Sequence, residues 1–398
     1  MIEGIDFSSL FYADDSILVS RTIEEAERNL KIITEISKEF GLIINESKSK
    51  ALIFKKGRIQ GKIEKVGGLE VVKSLKYLGL EICDEEDIFR KQKELAIKNL
   101  QKLAKKAFYT IETVSDRVLM GKLFWKSVAL PTALFGLGVM TFNIGQVETL
   151  QRTENRVNRM ILRAARYTPN TTVRGEIGSS TMDSRIIESK LLLIKSIING
   201  DNELVKEVLI RTLKEDNNIW NIKLRSQLGK VDMTEENLWN MSKENIRKRI
   251  REVDKANWVK EMEKIKTLNV YRKFKKEIKN DNIYDNRESS KYLFKARSNT
   301  LEVHQRAYFI LKGRNKSKIC KLCEKEEESL GHFLLNCEIL DKERDSIFIG
   351  RYKGISDDET LGGLLFRTER KDLETLKNMI SRMWGTRKVK LKRLGFEQ

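Results

Sequence analysis

Two groups of side chains in this sequence could carry chemistry because of their type and spacing. The first is the adjacent pair Asp14 and Asp15, which lies between two short apolar stretches within residues 8–20. Strand, acidic turn and strand is the pattern of a β-hairpin with both carboxylates at its tip. Carboxylate oxygens are ligands that Mg²⁺ prefers, so the pair suits two-metal nucleotidyl transfer. An ordinary solvated turn is the alternative.

The second group combines three of the four cysteines with one of the two histidines. Two, eight and four residues separate its members, which are Cys320, Cys323, His332 and Cys337. Three thiolates and one imidazole form a closed tetrahedral set for Zn²⁺, which predicts a structural site. Accidental clustering is the alternative, and the small number of cysteines argues against a disulfide framework. We expect His332 and Cys337 on one helix, Leu330 to Leu340.

The acidic run from Glu324 to Glu328 lies between these ligands. Carboxylates repel phosphates, so the cluster is expected to organise the surrounding helices more than it contacts a nucleic-acid strand. Residues 312–321, a basic flank of the cluster, are the better candidate for that contact.

The elements that must position these groups change character near residue 86. Before it, short apolar stretches separated by glycines predict strands at residues 42–45, 51–54 and 75–82, and a capping box at Thr22 with Gly41 as the stop predicts a helix. After it, a sequence rich in Lys, Glu, Leu and Ile predicts helices. The fold class is therefore α+β, with a mainly α-helical remainder.

The charge of the chain favours a polyanionic partner. Lys and Arg number 77 against 58 Asp and Glu, a formal net charge of +19, and nucleic acid is the first candidate. The most apolar stretch, residues 127–142, is too short to cross a bilayer and is expected to be a buried helix. No signal sequence is visible, so a soluble protein of the nucleus or cytoplasm, without membrane partners, is expected.

Five arginines follow helical spacing within an expected helix from Gln146 to Tyr167. Their separations of four, three, four and three residues place them on one stripe, and Glu154 is the one acid among them. A solvated face is the alternative, but the near absence of acids favours contact with a phosphate backbone. The stripe consists of Arg152, Arg156, Arg159, Arg163 and Arg166.

Several segments, in order, resemble the reverse transcriptases of non-LTR (LINE-type) retrotransposons. Phe11-Tyr12-Ala13-Asp14-Asp15 resembles their active-site motif, and Gly41 to Lys48 resembles the segment after the palm helix. Leu75 to Ile82 resembles the primer-grip hairpin, and residues 120–136 and 150–178 resemble the helical thumb and the segment that follows it. The segment from Cys320 to Cys337 resembles the carboxy-terminal zinc knuckle of the same elements.

The resemblance implies roles for individual residues. Asp14 and Asp15 would bind Mg²⁺, and Lys48 would lie near the incoming nucleotide as a general acid for pyrophosphate. Three residues of the grip, Tyr77, Leu78 and Gly79, would position the primer. The bland alternatives are an ordinary solvated lysine at Lys48 and an ordinary core strand at residues 75–82.

The resemblance also implies an order of domains. A partial palm with the Tyr-Ala-Asp-Asp hairpin and primer grip would occupy residues 1–85, and a helical thumb and connection would occupy residues 86–180. A charged helical region, the zinc knuckle and a basic helical tail would follow at residues 181–300, 301–345 and 346–398.

Two functions therefore compete. The first is a fragment of an RNA-directed DNA polymerase that acts on RNA, DNA and deoxynucleoside triphosphates. We expect this chain alone to be inactive, because the family's third carboxylate comes from an earlier palm strand, and Glu3 and Asp6 are poor substitutes for it. The second is a non-catalytic remnant of a mobile element that still binds nucleic acid.

Overall fold

Strands are confined to the amino-terminal fifth of the described chain, and helices make up most of the rest. The computed structural model describes residues 8–54, 63–114, 116–310, 317–344 and 357–396. Glu3 and Asp6 lie outside these ranges, as does much of the basic flank at residues 312–321. The helix-rich fold with small sheets agrees with the α+β class in its coarse form.

The first sheet is the expected hairpin. Strands β1 (Ser9–Tyr12) and β2 (Asp15–Leu18) pair antiparallel, with Ser9 opposite Leu18 and Tyr12 opposite Asp15. Helix α1 (Ile23–Glu39) follows, and the Glu25 amide donates to Thr22 Oγ1 at 3.1 Å as the capping pattern requires. Gly41, with φ of +71°, lies just beyond its end.

Four short strands form two further antiparallel pairs. Strand β3 (Lys65–Val66) pairs with β4 (Leu69–Glu70), and β5 (Ser74–Tyr77) pairs with β6 (Leu80–Cys83). The strands expected at residues 42–45 and 51–54 are wrong: the first is irregular, and the second contributes one isolated bridge from Ala51 to Val71. Short apolar runs form strands only where a neighbouring strand can pair with them.

Helices predominate from residue 90 onward. The first five of these are α2 (Arg90–Glu112), α3 (Arg117–Phe124), α4 (Leu130–Ala133), α5 (Ile144–Ile161) and α6 (Asn170–Ile177). The middle of the chain contains α7 (Met182–Ile198), α8 (Glu203–Lys214), α9 (Ile219–Lys230), α10 (Glu235–Asn240), α11 (Lys243–Glu263) and α12 (Asn269–Phe274). The last helices are α13 (Glu288–Arg297), α14 (His304–Ile310), α15 (Asp357–Leu365) and α16 (Arg370–Arg393).

Short turns of other helix types connect these elements. Trp125–Ala129 and His332–Asn336 are π-helical, whereas Lys266–Leu268 and Glu338–Glu343 are 3₁₀-helical. The continuous buried helix expected at residues 127–142 is therefore wrong, since α4 ends at Ala133 and the exposed Phe135 follows it. Gly136, with φ of +76°, adopts a conformation that no helix contains.

Two large hydrophobic cores organise the helices. The first joins residues from Leu100 to Trp384, so that α2, α5, α13, the cysteine cluster and α16 share one interior. The second, from Ile187 to Ile250, is formed by α7 to α11. Helices α8 to α12 thus occupy most of residues 203–274, within the expected charged helical region, and the proposed domain boundaries stay a prediction.

The amino-terminal part is the least well buried. Helix α1 has no buried residue, although its apolar side chains recur at helical spacing. Large apolar side chains stand exposed nearby, among them Phe11, Phe40, Leu42 and Ile43. Exposed apolar surfaces of this kind often mark sites of interaction with another protein surface or ligand.

Candidate functional site

The carboxylate pair lies at the tightest turn of the first hairpin. Tyr12 and Asp15 are the last paired residues, so Ala13 and Asp14 form a two-residue loop. Ala13 has φ of +54°, the sign that a primed hairpin turn needs at its first loop position. Both aspartates are exposed, and the prediction that the tip presents both carboxylates to solvent is correct.

The hairpin is anchored less firmly than the sequence suggests. Of four apolar residues beside the turn, Phe11 and Val19 are 61% and 50% exposed, while Ile17 and Leu18 are half-buried. One reason is that β1 and β2 form a sheet of only two strands among the described residues, so no neighbouring strand extends it. Contact with α1 is its main support.

The described residues supply two ligands at this turn and no third. The one group of three or more His, Cys, Asp or Glu side chains found in the described ranges is the cysteine cluster, far along the chain. A Mg²⁺ ion takes six oxygen ligands, usually one or two of them carboxylates and several of them water. Asp14 and Asp15 fit part of such a shell.

Lys48 lies in the turn after α1. Its backbone amide donates to the Asn45 carbonyl and to Asn45 Oδ1, each at 3.2 Å, and its side chain is exposed. Nothing in the described contacts joins Lys48 to either aspartate. Its expected role near the nucleotide therefore stays a prediction.

Tyr77, Leu78 and Gly79 occupy the β5–β6 turn. Leu78 and Gly79 are its two loop residues, with φ of +44° and +85°. A Cβ at Gly79 would lie 3.1 Å from Phe135 Cε1, so the glycine also lets the hairpin pack on the segment after α4. A cleft lined by Gly79, Leu95, Asn99, Thr132 and Phe135 opens beside this turn.

The expected arginine stripe is interrupted. Helix α5 ends at Ile161, and Arg163 has φ of +51°, so the helix from Gln146 to Tyr167 and its continuous stripe are wrong. A left-handed residue ends helical periodicity, whatever the spacing of the side chains beyond it. Arg166 therefore does not extend the row formed by Arg152, Arg156 and Arg159.

The two partly buried arginines of the five bind protein groups. Arg159 donates to the Thr168 carbonyl at 2.9 Å and to the Asn155 carbonyl at 3.3 Å, and burial lowers its pKa. Arg163 pairs with Glu288 at 3.3 Å. Both line a cleft with Arg117 and Lys291.

The other three arginines are exposed. Arg152 pairs with Glu148 at 2.7 Å, whereas Arg156 and Arg166 have no protein partner among the described residues.

A basic surface that sequence reasoning missed lies on α2. Its members, which we call the lysine face, are Lys98, Lys102, Lys105 and Tyr109. They are exposed, are spaced by four, three and four residues, and include no lysine with a protein partner in the described structure. No carboxylate occurs between Glu94 and Glu112, which is the signal in the sequence that would have found it.

Aromatic rings stand at the carboxy-terminal end of the lysine face. Phe108 and Tyr109 are 47% and 72% exposed and contact each other edge to face at 5.6 Å. By contrast, Trp258 and Tyr271 are fully buried and donate to the carbonyls of Thr171 and Thr172. Trp258 and Tyr271 are therefore core residues and are not available to stack on bases.

The structure brings the four cysteine and histidine ligands together. Their ligand atoms lie within 4.8 Å of one another, with Cys320 Sγ 3.9 Å from Cys337 Sγ and Cys323 Sγ 3.4 Å from His332 Nε2. Ligands of one tetrahedral Zn²⁺ lie about 3.8 Å apart for two sulfurs and about 3.6 Å apart for sulfur and nitrogen. The cluster has the dimensions of a metal site.

A small hairpin and a π-helical turn hold the ligands. The bridge from Ile319 to Glu327 closes the hairpin, and the Cys320 amide donates to the Glu326 carbonyl at 2.8 Å. His332 begins the π-helical turn, after which Cys337 is extended. The single helix expected from Leu330 to Leu340 is therefore wrong, because His332 and Cys337 must converge on one point.

The electrostatics of the cluster suit a cation. His332 Nδ1 lies 3.0 Å from Glu326 Oε2, which leaves Nε2 facing the sulfurs. The hydrogen bond from Cys320 lowers the pKa of Cys337, and the same bond together with burial raises the pKa of Cys320. These protein contacts favour a thiolate at Cys337.

Glu328, the last residue of the acidic run, is buried and binds protein groups. Burial of Glu328 acts to raise its pKa, but hydrogen bonds from Arg387 and His304 outweigh that effect and bring the pKa to about 2. Arg387 donates to both Glu328 oxygens, at 2.6 and 2.7 Å. No local pattern in the sequence predicts this pair, because 59 residues separate Glu328 from Arg387.

The carboxylate pair, Lys48 and the β5–β6 turn share one amino-terminal segment. Residues 2–82 match the family model for reverse transcriptase (RNA-dependent DNA polymerase). This reverse-transcriptase segment covers about a fifth of the chain and contains the complete Asp14 turn. No curated protein and no solved structure matches the chain.

The match supports a reverse-transcriptase-like fragment and, with it, binding of nucleic acid. The described helices include none that is both long and apolar enough to span a bilayer.

Proposed function

We propose that this chain is a carboxy-terminal fragment of a non-LTR retrotransposon reverse transcriptase. The observation that carries the proposal is a two-residue turn that exposes Asp14 and Asp15 inside the reverse-transcriptase segment. The order of the later segments supports it: a further hairpin at Tyr77 to Gly79, long helices and a cluster of three cysteines and one histidine follow.

The two aspartates would act as ligands for Mg²⁺. When bound there, the ions lower the pKa of the primer hydroxyl and neutralise charge on the triphosphate. Asp14 and Asp15 hold the carboxylates at one end of a hairpin, and Lys48 would give a proton to the pyrophosphate that leaves. No third carboxylate lies at the turn among the described residues, and we propose that the chain does not polymerise alone.

The Cys320 cluster would form the zinc knuckle of the fragment. Three sulfurs and one imidazole nitrogen suit Zn²⁺ in a structural role. The outer contact from Glu326 to His332 is typical of such sites, because it fixes which ring nitrogen faces the ion.

A second candidate function is a non-catalytic nucleic-acid-binding remnant. The lysine face favours it, because three unpaired lysines and an exposed tyrosine on one helix can contact phosphates and bases without any metal. The exposed Arg156 and Arg166 could add to this surface.

Binding to a labelled RNA template with a recessed DNA primer tests the component that both candidates share. We expect fluorescence anisotropy to show binding that weakens steeply between about 50 and 200 mM salt. The double variant Asp14→Asn/Asp15→Asn should bind no more weakly than the parent protein, since the lysine face is unchanged. Absence of binding at about 50 mM salt would contradict both candidates.

A further inference from the structure

The segment that carries the four cysteine and histidine ligands contacts the carboxy-terminal half of α16. Residues 317–344, here called the metal module, approach that helix at three levels. Phe333 packs edge to face on Trp384 at 5.6 Å, Glu328 binds Arg387, and the Ile339 carbonyl accepts from Lys390 at 3.4 Å.

The pair of Glu328 and Arg387 is the most deeply buried of these contacts. Their side chains are 1% and 0% exposed, and the His304 amide donates to the same carboxylate at 2.6 Å. A buried carboxylate and guanidinium stabilise a fold only in good geometry, because each has lost its water. Small displacements of Glu328 therefore weaken the docking of α16.

The position of Glu328 depends on the hairpin that supplies two metal ligands. The Glu328 amide donates to the Lys318 carbonyl at 2.9 Å, and the Cys320 amide donates to the Glu326 carbonyl at 2.8 Å. The same hairpin turn carries Cys320 and Cys323. An ion that holds the two sulfurs in place also fixes the strand on which Glu328 lies.

The amino-terminal half of α16 is held by other means. Lys377 binds Asp285 at 3.0 Å and Glu374 binds Arg287 at 2.6 Å, and both partners lie just before α13. Trp384 lies at the boundary, since it contacts Tyr292 of α13 as well as Phe333. The ion pairs of the two halves thus come from different neighbours.

We propose that the ion bound by the Cys320 cluster controls the docking of the carboxy-terminal half of α16, with Glu328 as the positioning residue. That half carries the exposed basic side chains Lys388, Lys392 and Arg393. The metal would therefore determine whether a basic surface is presented in a fixed position. This inference rests on the zinc site put forward under the proposed function, but it holds whether or not the Asp14 turn supports catalysis.

Hydrogen exchange of the full 398-residue chain tests the proposal, with mass spectrometry as the readout. The zinc-loaded protein is compared with protein treated with a chelator, and zinc content is measured in each sample. We expect zinc removal to speed exchange by roughly tenfold or more in amides of residues 384–393. Amides of residues 373–380 and of α11 should change little. Equal exchange at residues 384–393 with and without zinc would overturn the proposal.

Two matched variants distinguish a specific role of Glu328 from general destabilisation of the fold. Glu328→Gln should keep one zinc per chain and show fast exchange at residues 384–393 in both zinc states. Glu327→Gln, whose exposed carboxylate contacts Lys318 and Gln305, should behave like the parent protein. If Glu328→Gln and Glu327→Gln exchange alike, Glu328 is not the positioning residue. Should Glu328→Gln fail to fold, the comparison of zinc-loaded and chelated parent protein decides the question alone.

Discussion

Replacing the three lysines of the lysine face should reduce the salt dependence of nucleic-acid binding. Lys98 and Lys105 are seven residues apart, which at 1.5 Å per residue places them about 10 Å apart along α2. Phosphates of one strand advance about 3.4 Å each along the duplex axis, so three lysines can reach about three phosphates. The triple variant Lys98→Gln/Lys102→Gln/Lys105→Gln removes those contacts and no protein contact.

The magnitude follows from counterion release. Each phosphate contact contributes about 0.9 to the slope of log affinity against log salt, so the slope should fall by about 2.7. Between about 50 and 200 mM salt the parent protein should then lose about 40-fold more affinity than the variant. Anisotropy titrations of a labelled duplex at four salt concentrations measure both slopes.

The control has the same charge change on another helix. Lys255, Lys260 and Lys264 are exposed on or just after α11, but Glu261 and Glu263 lie among them. Their replacement by Gln should change the slope by less than about 1. An unchanged slope in the α2 variant, or an equal fall in the control, would refute the assignment of the lysine face.

Three further changes test the structural reasoning. Arg159→Gln should lower the free energy of unfolding by about 1–3 kcal/mol, because Arg159 satisfies buried carbonyls. In the same urea titrations Arg156→Gln, a change at an exposed side chain, should alter it by less than about 0.5 kcal/mol. Burial, with a smaller contribution from a neighbouring lysine, lowers the pKa of Lys190 to about 7. Between about pH 7 and 10.5 the unfolded chain therefore binds more protons than the folded protein, and the free energy of unfolding rises with pH in that range. Lys190→Met should therefore be more stable than the parent at pH 7, with an advantage that shrinks by about 2 kcal/mol at pH 9; a constant advantage would contradict the shift. Cys323→Ser should lose stoichiometric zinc while Cys83→Ser, outside the cluster, retains it, and equal zinc content by atomic absorption would disprove the ligand set.

Local patterns in the sequence predicted the first hairpin and α1, but not that residues 42–45 and 51–54 lack strands. The Asp14 hairpin and α1 depend on residues within a few positions of one another, such as the Thr22 cap, so their signals are contained in short windows. The cysteine and histidine spacing also predicted which ligands converge, since tetrahedral coordination requires it.

Errors arose where a single backbone conformation changed the path of the chain. The arginine spacing continues past Ile161, but the left-handed residue Arg163 ends the helix there, and side-chain periodicity carries no information about φ. The helix expected from Leu330 to Leu340 failed for a related reason, because a π-helical turn from His332 to Asn336 is followed by an extended backbone at Cys337.

Other features could not be predicted because they join distant segments. Glu328 was treated only as part of an acidic run that disfavours phosphate contact, and the packing of α16 shows that it binds Arg387. Burial of Trp258 against Thr171 is likewise a tertiary contact with no local signal. The lysine face was overlooked although the absence of carboxylates on that part of α2 was visible in the sequence.

Primer extension tests the central claim most directly. The purified chain is incubated with Mg²⁺, deoxynucleoside triphosphates and a labelled primer on an RNA template, at a concentration at which anisotropy shows that the template–primer is bound. The account predicts binding without extension above the level of Asp14→Asn/Asp15→Asn. Extension by the parent protein that the double variant abolishes would contradict the claim that this fragment cannot polymerise alone, and absence of binding would contradict its assignment as a nucleic-acid-binding fragment.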